Sequence, residues 1–503
     1  MVHFFSQLAR TGLKGPAFLD LLALFKTDTL SVLHSGHGRE GEGFSVIGRN
    51  PLVTVRVNDE ESPAVVEISP NIPWARQSYA NLPADPLDAW ESVLHDPPLD
   101  FPHHPLTSWI GYFSYDIARL LENIGNSARS DLNTPLLEWR LFEEYFLYDH
   151  ARSEWTLVAT ADHEHPRAEK ILDDMAAQLA RSAPEIPPAS PQSRIVEQLP
   201  RGEFLSAVQR IKDYIAAGDI FQANFAQRWK VQTDAHPIDI FRRLMHESPA
   251  AYAALIISPD DSRAIISASP ELFLHRFGGD LFTRPIKGTR PRDLHDPVHD
   301  EQLRTELLHS EKDKAELAMI VDLLRNDLGR VAEYGSVHVI APREIEKLPT
   351  LWHAAATIRA SLFSPSISQS KYDPAADPRP LLADHTWAPL IRATMPGGSI
   401  TGAPKIRAMQ IIEELEKTRR GLYCGAIGCI GTQPEQRSET LTLFHPVGTL
   451  NIAIRTIQMH HNIATLHAGA GIVADSTPEL EYDETLHKAA AILRALGISE
   501  LNH

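Results

Sequence analysis

Apolar residues at Phe204, Val208, Ile211 and Ile215 follow the helical period and the run stops at Gly218, so a helix beginning near Glu203 presents one buried stripe. The period then changes to two. Gln222, Asn224 and Arg228 fall on one face of the next segment and Phe221, Ala223, Phe225 and Trp229 on the other, which predicts a strand with one apolar side. Further strands are predicted at Tyr252–Ile257 and Ala264–Ser267. Leu317, Ile320, Val321, Leu324 and Leu328 predict a long helix from about Glu311 to Val331. Earlier in the chain, Leu52–Val57 reads as strand and Glu169–Leu179 as helix. The elements are mixed without regular βαβ alternation, which favours a large α+β architecture over a doubly wound or barrel fold.

Periodicity is lost at Ser182–Gly202, where Pro, Ser and Ala crowd. This divides the chain into an N-terminal part, 1–181, a Pro-rich linker, 182–202, and a C-terminal part, 203–503, that holds nearly all the candidate chemistry. Ser364–Asp384 and Thr432–Gly448 are expected as exposed loops or insertions.

With 503 residues, 43% hydrophobic and 22% charged, the chain can bury one very large core or several ordinary ones. The start, MVHFFSQLARTGLKG, lacks the apolar core of a signal peptide, and no stretch reaches the about 18 consecutive apolar residues of a membrane span. A cytoplasmic protein with no membrane partner is expected. A net charge of −17 argues against a nucleic acid partner, because phosphate binding needs clustered positive charge. The two cysteines, Cys424 and Cys429, lie in one apolar run, YCGAIGCI, and are expected to be buried.

Two acidic pairs stand at helical spacing. Asp313 and Glu316 share a face, with Lys312 and Lys314 expected to point elsewhere, and Glu481 and Glu484 repeat the spacing near the C-terminus. Each pair is either a solvated face or half of an oxygen site for a hard cation such as Mg2+. PGGSITGAPK, Pro396–Lys405, precedes a helix carrying Ile406, Met409 and Ile412, and Gly469-Ala470-Gly471 leaves bare backbone; either is a set of turn glycines or a place for a carboxylate to meet free amides. Arg455, in the apolar and strand-like NIAIRT, needs an acidic partner or an anionic ligand. Lys287, between Pro285-Ile286 and Gly288-Thr289, is a surface or ion-paired lysine, or a buried one that loses its charge and becomes nucleophilic. Glu271, in SASPELF, has apolar neighbours that would raise its pKa and suit it to donate a proton. His353, in PTLWHAAA, reads alone as a core histidine.

SASPELF, RPIKGTRPR, KAELAMIVDLLRNDLGRV, TLWH, PGGSITGAPK, RGLYCGAIG, NIAIRT and AGAGIVADSTPELEYDE follow one another here in the order found in chorismate-utilising enzymes. More loosely, GFSVIGRNP and WIGYFSYDIARLLE resemble that family's early motifs, so the resemblance spans nearly the whole chain. It implies a large fold of two big antiparallel sheets packed face to face with helices outside. It also implies chorismate as substrate, ammonia supplied by a separate glutaminase subunit, and Mg2+ as cofactor. Anthranilate synthases usually read PIAGT where aminodeoxychorismate synthases read PIKGT, and this chain has the lysine.

The resemblance assigns Lys287 as nucleophile, Glu271 as general acid and base and His353 as the active-site histidine. Glu316 and Glu484 become Mg2+ ligands, with Asp313 and Glu481 behind them through water. Gly288, Thr289, Ser399, Tyr423, Arg455, Gly469, Ala470, Gly471 and Lys488 match substrate-binding positions. Gln222 also falls there, where water-using relatives carry a lysine, which argues against water as nucleophile. His34-Ser35 stands where tryptophan-sensitive relatives carry a Glu-Ser pair, which argues against a tryptophan pocket.

Overall fold

A computed structural model describes residues 5–35, 43–70, 72, 79, 81–95, 99–100, 104–162, 167–181, 191–258, 262–348, 351–362, 386–438 and 441–499. Twenty-two strands among them form one hydrogen-bonded network. Its ladders are antiparallel apart from a short parallel contact between Phe5–Leu13 and Leu99–Asp100. This is the large antiparallel α+β architecture expected, with the sheets joined through shared strands.

Two apolar cores hold it together, and both draw on the N-terminal and the C-terminal parts. One combines Phe18, Leu21 and Trp155 with Phe225, Trp229, Leu466 and Leu486. The other combines Trp90, Trp139 and Leu141 with Leu317, Leu324, Trp387 and Met409. Burying each such side chain contributes roughly 1.5–3 kcal/mol, so neither part keeps its core without the other.

The helix predicted from Glu203 runs Arg201–Ala216, with Phe204, Val208 and Ile211 buried and Ile215 partly so. The helix predicted from Glu311 runs Glu311–Gly329, and its five stripe residues are all buried. Ser310 caps it, its hydroxyl accepting from the Asp313 amide at 3.3 Å. The strand Gln222–Thr233 departs from prediction. It starts one residue later, leaving Phe221 71% exposed, and its polar residues are buried as well as its apolar ones. Both of its edges are paired, with Ile463–Ile472 on one side and Ser193–Gln198 on the other, so it lies well inside the sheet.

That second neighbour lies in the expected linker. Ser193–Gln198 has no continuous apolar face, yet pairing with Gln222–Thr233 makes it a strand. The expected loop at Thr432–Gly448 is likewise the end of a hairpin formed by Ala426–Ser438 and Leu441–Ile452. In both places long-range backbone hydrogen bonds supply what local composition does not. The other expected loop, Ser364–Asp384, lies outside the described residues. Arg455 is not within a strand but between Leu441–Ile452 and Thr456–His460, at a left-handed φ of 51°. No helix among the described residues is long and apolar enough to cross a membrane.

Candidate active site

Three elements converge on one serine. Ser399, buried in the short turn Gly398–Ile400, donates its hydroxyl to the Glu271 carboxyl at 2.8 Å and accepts the Lys287 ammonium on its backbone oxygen at 3.2 Å. Glu271 sits between the strands Arg263–Ser269 and Leu272–Phe277, and its own backbone oxygen accepts from the Ile452 amide. Burial pushes its pKa up, against the opposing pull of Lys287 and the Ser399 hydroxyl. Lys287 is half-buried on the strand Ile286–Pro291 rather than enclosed, and it forms no carboxylate ion pair within 4 Å among the described residues. Its charge nevertheless acts on Glu271, Glu316 and Glu484.

Gly288 follows at a φ of 93°, and a side chain there would start 2.9 Å from Asp313 Cγ, so both backbone and space require glycine. Thr289 is exposed and stands opposite His353 in the ladder with Leu351–Ser361. His353 is buried with neither ring nitrogen partnered among the described residues, so it is not the satisfied core histidine that its sequence context suggests. Burial first, then Arg455 and Arg284, push its pKa down to about 3, so the ring is neutral at ordinary pH.

Arg455 has one hydrogen bond, to Ser248 Oγ at 3.2 Å, and no acidic partner among the described residues. Burial alone lowers its pKa. Of the two readings its sequence context leaves, the ion pair is therefore absent. Gln222 and Tyr423 are buried near the glycines. The Gln222 amide nitrogen stands 2.6 Å from where a side chain on Gly471 would begin, and the Tyr423 hydroxyl 3.0 Å from the corresponding point on Gly469. Gln222 Oε1 has no partner. Ala470 points the other way, into the core. Lys488, from the helix Pro478–Ala495, donates to the Gly469 carbonyl at 2.9 Å.

The acidic pairs separate into two kinds. Glu316 and Glu484, from different helices, are close enough for Glu484 to raise the pKa of Glu316, on which burial acts most strongly. Lys488 holds Glu484 at 2.6 Å and, with Lys312 and Lys287, keeps it below the usual carboxylate range despite burial. Lys312, expected to point away, comes within 3.8 Å of Glu316, the reach of an i,i+4 pair. Asp313 and Glu481 already have protein partners: Arg290 at 3.2 Å for the first and the Ser476 hydroxyl at 2.7 Å for the second. Among the described residues no group of three or more His, Cys, Asp or Glu side chains is gathered to hold a metal by itself. Two partly solvated carboxylates close enough to sense each other are still the kind of donor that suits Mg2+, which keeps waters and takes substrate oxygens.

Sequence reasoning passed over Ser248, Asn224 and Arg420. Asn224 Nδ2 donates to the Ile400 carbonyl at 3.0 Å, and Arg420 donates to the same carbonyl at 3.2 Å and to that of Asn224 at 2.6 Å, which fixes the turn bearing Ser399. Only Arg420, which leads directly into the apolar run GLYCGAIGCI, gave any signal of such a role.

Taken together, the group offers a proton donor, an amine, a cation free to meet an anion and hard oxygen donors, the equipment of an enzyme acting on a small anionic substrate. The chain belongs to the chorismate binding enzyme family, whose sequence profile matches residues 38–494. It is 39% identical over 397 residues to aminodeoxychorismate synthase component 1 of Bacillus subtilis, covering 78% of this chain and 77% of that one. It is 38% identical over 401 residues to an anthranilate synthase component 1 of Haloarcula marismortui, covering 77% of this chain and 75% of the relative. The crystal structure of anthranilate synthase component I from Streptococcus pneumoniae superposes with a TM-score of 0.71 at 28% identity, over 90% of this chain and 93% of the other.

Proposed function

We propose that the chain is the chorismate-aminating component of an aminodeoxychorismate synthase, converting chorismate and ammonia to 4-amino-4-deoxychorismate for para-aminobenzoate and folate formation. The observation that carries this reading is Lys287 in PIKGT, held with Glu271 on the two ends of Ser399. An amine and a carboxyl with raised pKa are then side by side, as addition and departure of a hydroxyl require.

In this mechanism Lys287, as the free amine, attacks ring carbon 2. The electrons of the ring diene shift, the bond from carbon 4 to oxygen breaks, and Glu271 gives its proton to the departing hydroxyl, so water leaves. Ammonia then attacks carbon 4, the electrons return, and the bond from carbon 2 to the Lys287 nitrogen breaks. The new ammonium group passes a proton to Glu271, which regenerates the acid. Arg455, without an acidic partner among the described residues, receives a substrate carboxylate, and the Gly469–Gly471 backbone bounds the ring. His353, neutral and without partners, offers a donor or acceptor beside Thr289 without adding charge. Mg2+ held by Glu316 and Glu484, with Asp313 and Glu481 behind them, would supply positive charge to the ring carboxylate.

The nitrogen is expected from a partner. Its relatives are named as components, which implies a second one. Both cysteines here are buried, with burial pushing the thiols up to about 12 for Cys424 and about 11 for Cys429, so neither is a ready thiolate for glutamine hydrolysis. The purified chain should use ammonium and not glutamine. The decisive experiment supplies chorismate, ammonium and the downstream lyase and identifies the aminobenzoate. A para product supports this reading; an ortho product assigns the chain to the anthranilate synthases, whose names occur among relatives of similar identity.

A further inference from the structure

A cavity of about 430 Å³ lies beside the candidate site, with Leu199, Pro200, Ala226, Arg228, Thr418 and His467 in its lining. In the ladder between Gln222–Thr233 and Ile463–Ile472, Arg228 stands opposite His467, Ala226 opposite Gly469 and Asn224 opposite Gly471. Directly opposed residues of an antiparallel pair project to the same face, so cavity and glycine backbone share one face of the same two strands. His467 and Gly469 are two positions apart, about 7 Å along a strand. Tyr423 fills that interval. Its ring stacks on His467 with centroids 5.1 Å apart, and its hydroxyl lies against Gly469. The stacked rings, together with the Arg420–Glu416 ion pair beside them, thus separate the cavity from the glycines.

The charged groups around the cavity are engaged with protein partners. Arg228 pairs with Asp131 and Glu197, Lys417 with Glu203, and Glu416 with Arg420. His467 differs: it is 3% exposed and its Nδ1 has no partner among the described residues. Burial, then Arg228 and Arg420, hold its pKa well below the ordinary range, so the ring is neutral and its unprotonated nitrogen accepts an N–H. No residue of the helices Glu311–Gly329 or Pro478–Ala495 lines the cavity, so a path through it avoids the Glu316 and Glu484 carboxylates, which would hold ammonium as an ion.

We propose that this cavity is the entrance by which neutral ammonia reaches the substrate glycines, passing the His467 and Tyr423 side chains. The proposal rests on the amination reading above. Ammonia attacks through a free lone pair and must arrive unprotonated, and a passage whose lining carboxylates, Glu197 and Glu416, are both held by arginines favours the neutral form over ammonium. Paired charges at the mouth and a neutral acceptor at the inner end meet both requirements.

The test is steady-state amination of chorismate by the purified chain with ammonium chloride at fixed pH. Leu199→Trp and Thr418→Trp narrow the cavity from different segments, and His467→Phe keeps a ring on Tyr423 while removing the acceptor. In variants that keep the wild-type circular dichroism, the KM for ammonia should rise about tenfold while the KM for chorismate stays within about twofold. An unchanged ammonia KM in the folded variants overturns the proposal, as does an equal rise in both KM values, which would mark the wall as merely structural. A wild-type chain that does not aminate chorismate fails the underlying reading instead, a result visible before any variant is made.

Discussion

Two guanidinium groups below the surface show opposite designs. Arg140 is fully buried and engaged through both terminal nitrogens: one donates to the Ile257 carbonyl at 2.6 Å and the other pairs with Glu138, which also receives Arg56 at 2.8 Å and Arg263 at 3.4 Å. Burial would raise the pKa of Glu138, but the three arginines hold it below the usual carboxylate range. Arg455 has a single hydroxyl partner and no acid among the described residues. Charges that complete one another inside the protein leave nothing for a ligand; one left incomplete, near a His353 whose ring nitrogens have no partner among the described residues, is poised to receive one.

The largest expected effect tests the chemistry on the incomplete side. Lys287→Ala should lower formation of the carbon 4 product about a thousandfold or more while chorismate still binds, with residual amination shifting toward carbon 2. Intact-mass analysis of wild type trapped with chorismate without ammonia should find the adduct on Lys287; no adduct, with rate and product unchanged in the variant, rejects the nucleophile.

Arg140→Met tests the complete side. It leaves Glu138 less compensated in the interior and should cost about 3–5 kcal/mol in denaturant unfolding, though Arg56 and Arg263 soften the loss. Glu316→Gln and Glu484→Gln should each lower turnover about a hundredfold, with weak rescue by excess Mg2+ and an unchanged melting curve. Near-normal activity of both at ordinary Mg2+ would remove the metal assignment. Arg455→Met should weaken chorismate binding about tenfold to a hundredfold by calorimetry yet leave stability within about 0.5 kcal/mol, the reverse of Arg140→Met. A large stability loss would mean that Arg455 is structural after all and would erase the contrast.

The smallest effect concerns pH. His353 has a folded pKa of about 3, below its unfolded value, so its contribution to stability is complete above about 6.5 and is lost as pH falls toward 3, at about 1.4 kcal/mol per unit. Between pH 7 and 5.5 urea unfolding should weaken by about 1 kcal/mol from this group, and His353→Phe should lack that component. Equal acid sensitivity in both proteins would show that the neutral ring is not its source.

Much of this was legible in the chain. The stripes of Phe204–Ile211 and Leu317–Leu328 are local patterns, and local patterns survive because a helix buries the face its own spacing creates. The ordered motifs identified the family. Nothing local marks Ser193–Gln198 as a strand or Thr432–Gly448 as hairpin, because their stability comes from ladders with distant segments. Glu271 and Ser399 are 128 residues apart and Lys287 and Ser399 are 112 apart, so only the tertiary structure could bring proton donor and amine to one serine. It alone also gave Asp313 to Arg290, joined Lys488 to the Gly469 backbone and left Arg455 without an acid among the described residues. Residue type sets which charges and donors a position can offer. Whether they are spent or free depends on what the fold brings within a few ångströms, since hydrogen bonding and desolvation act only at that range.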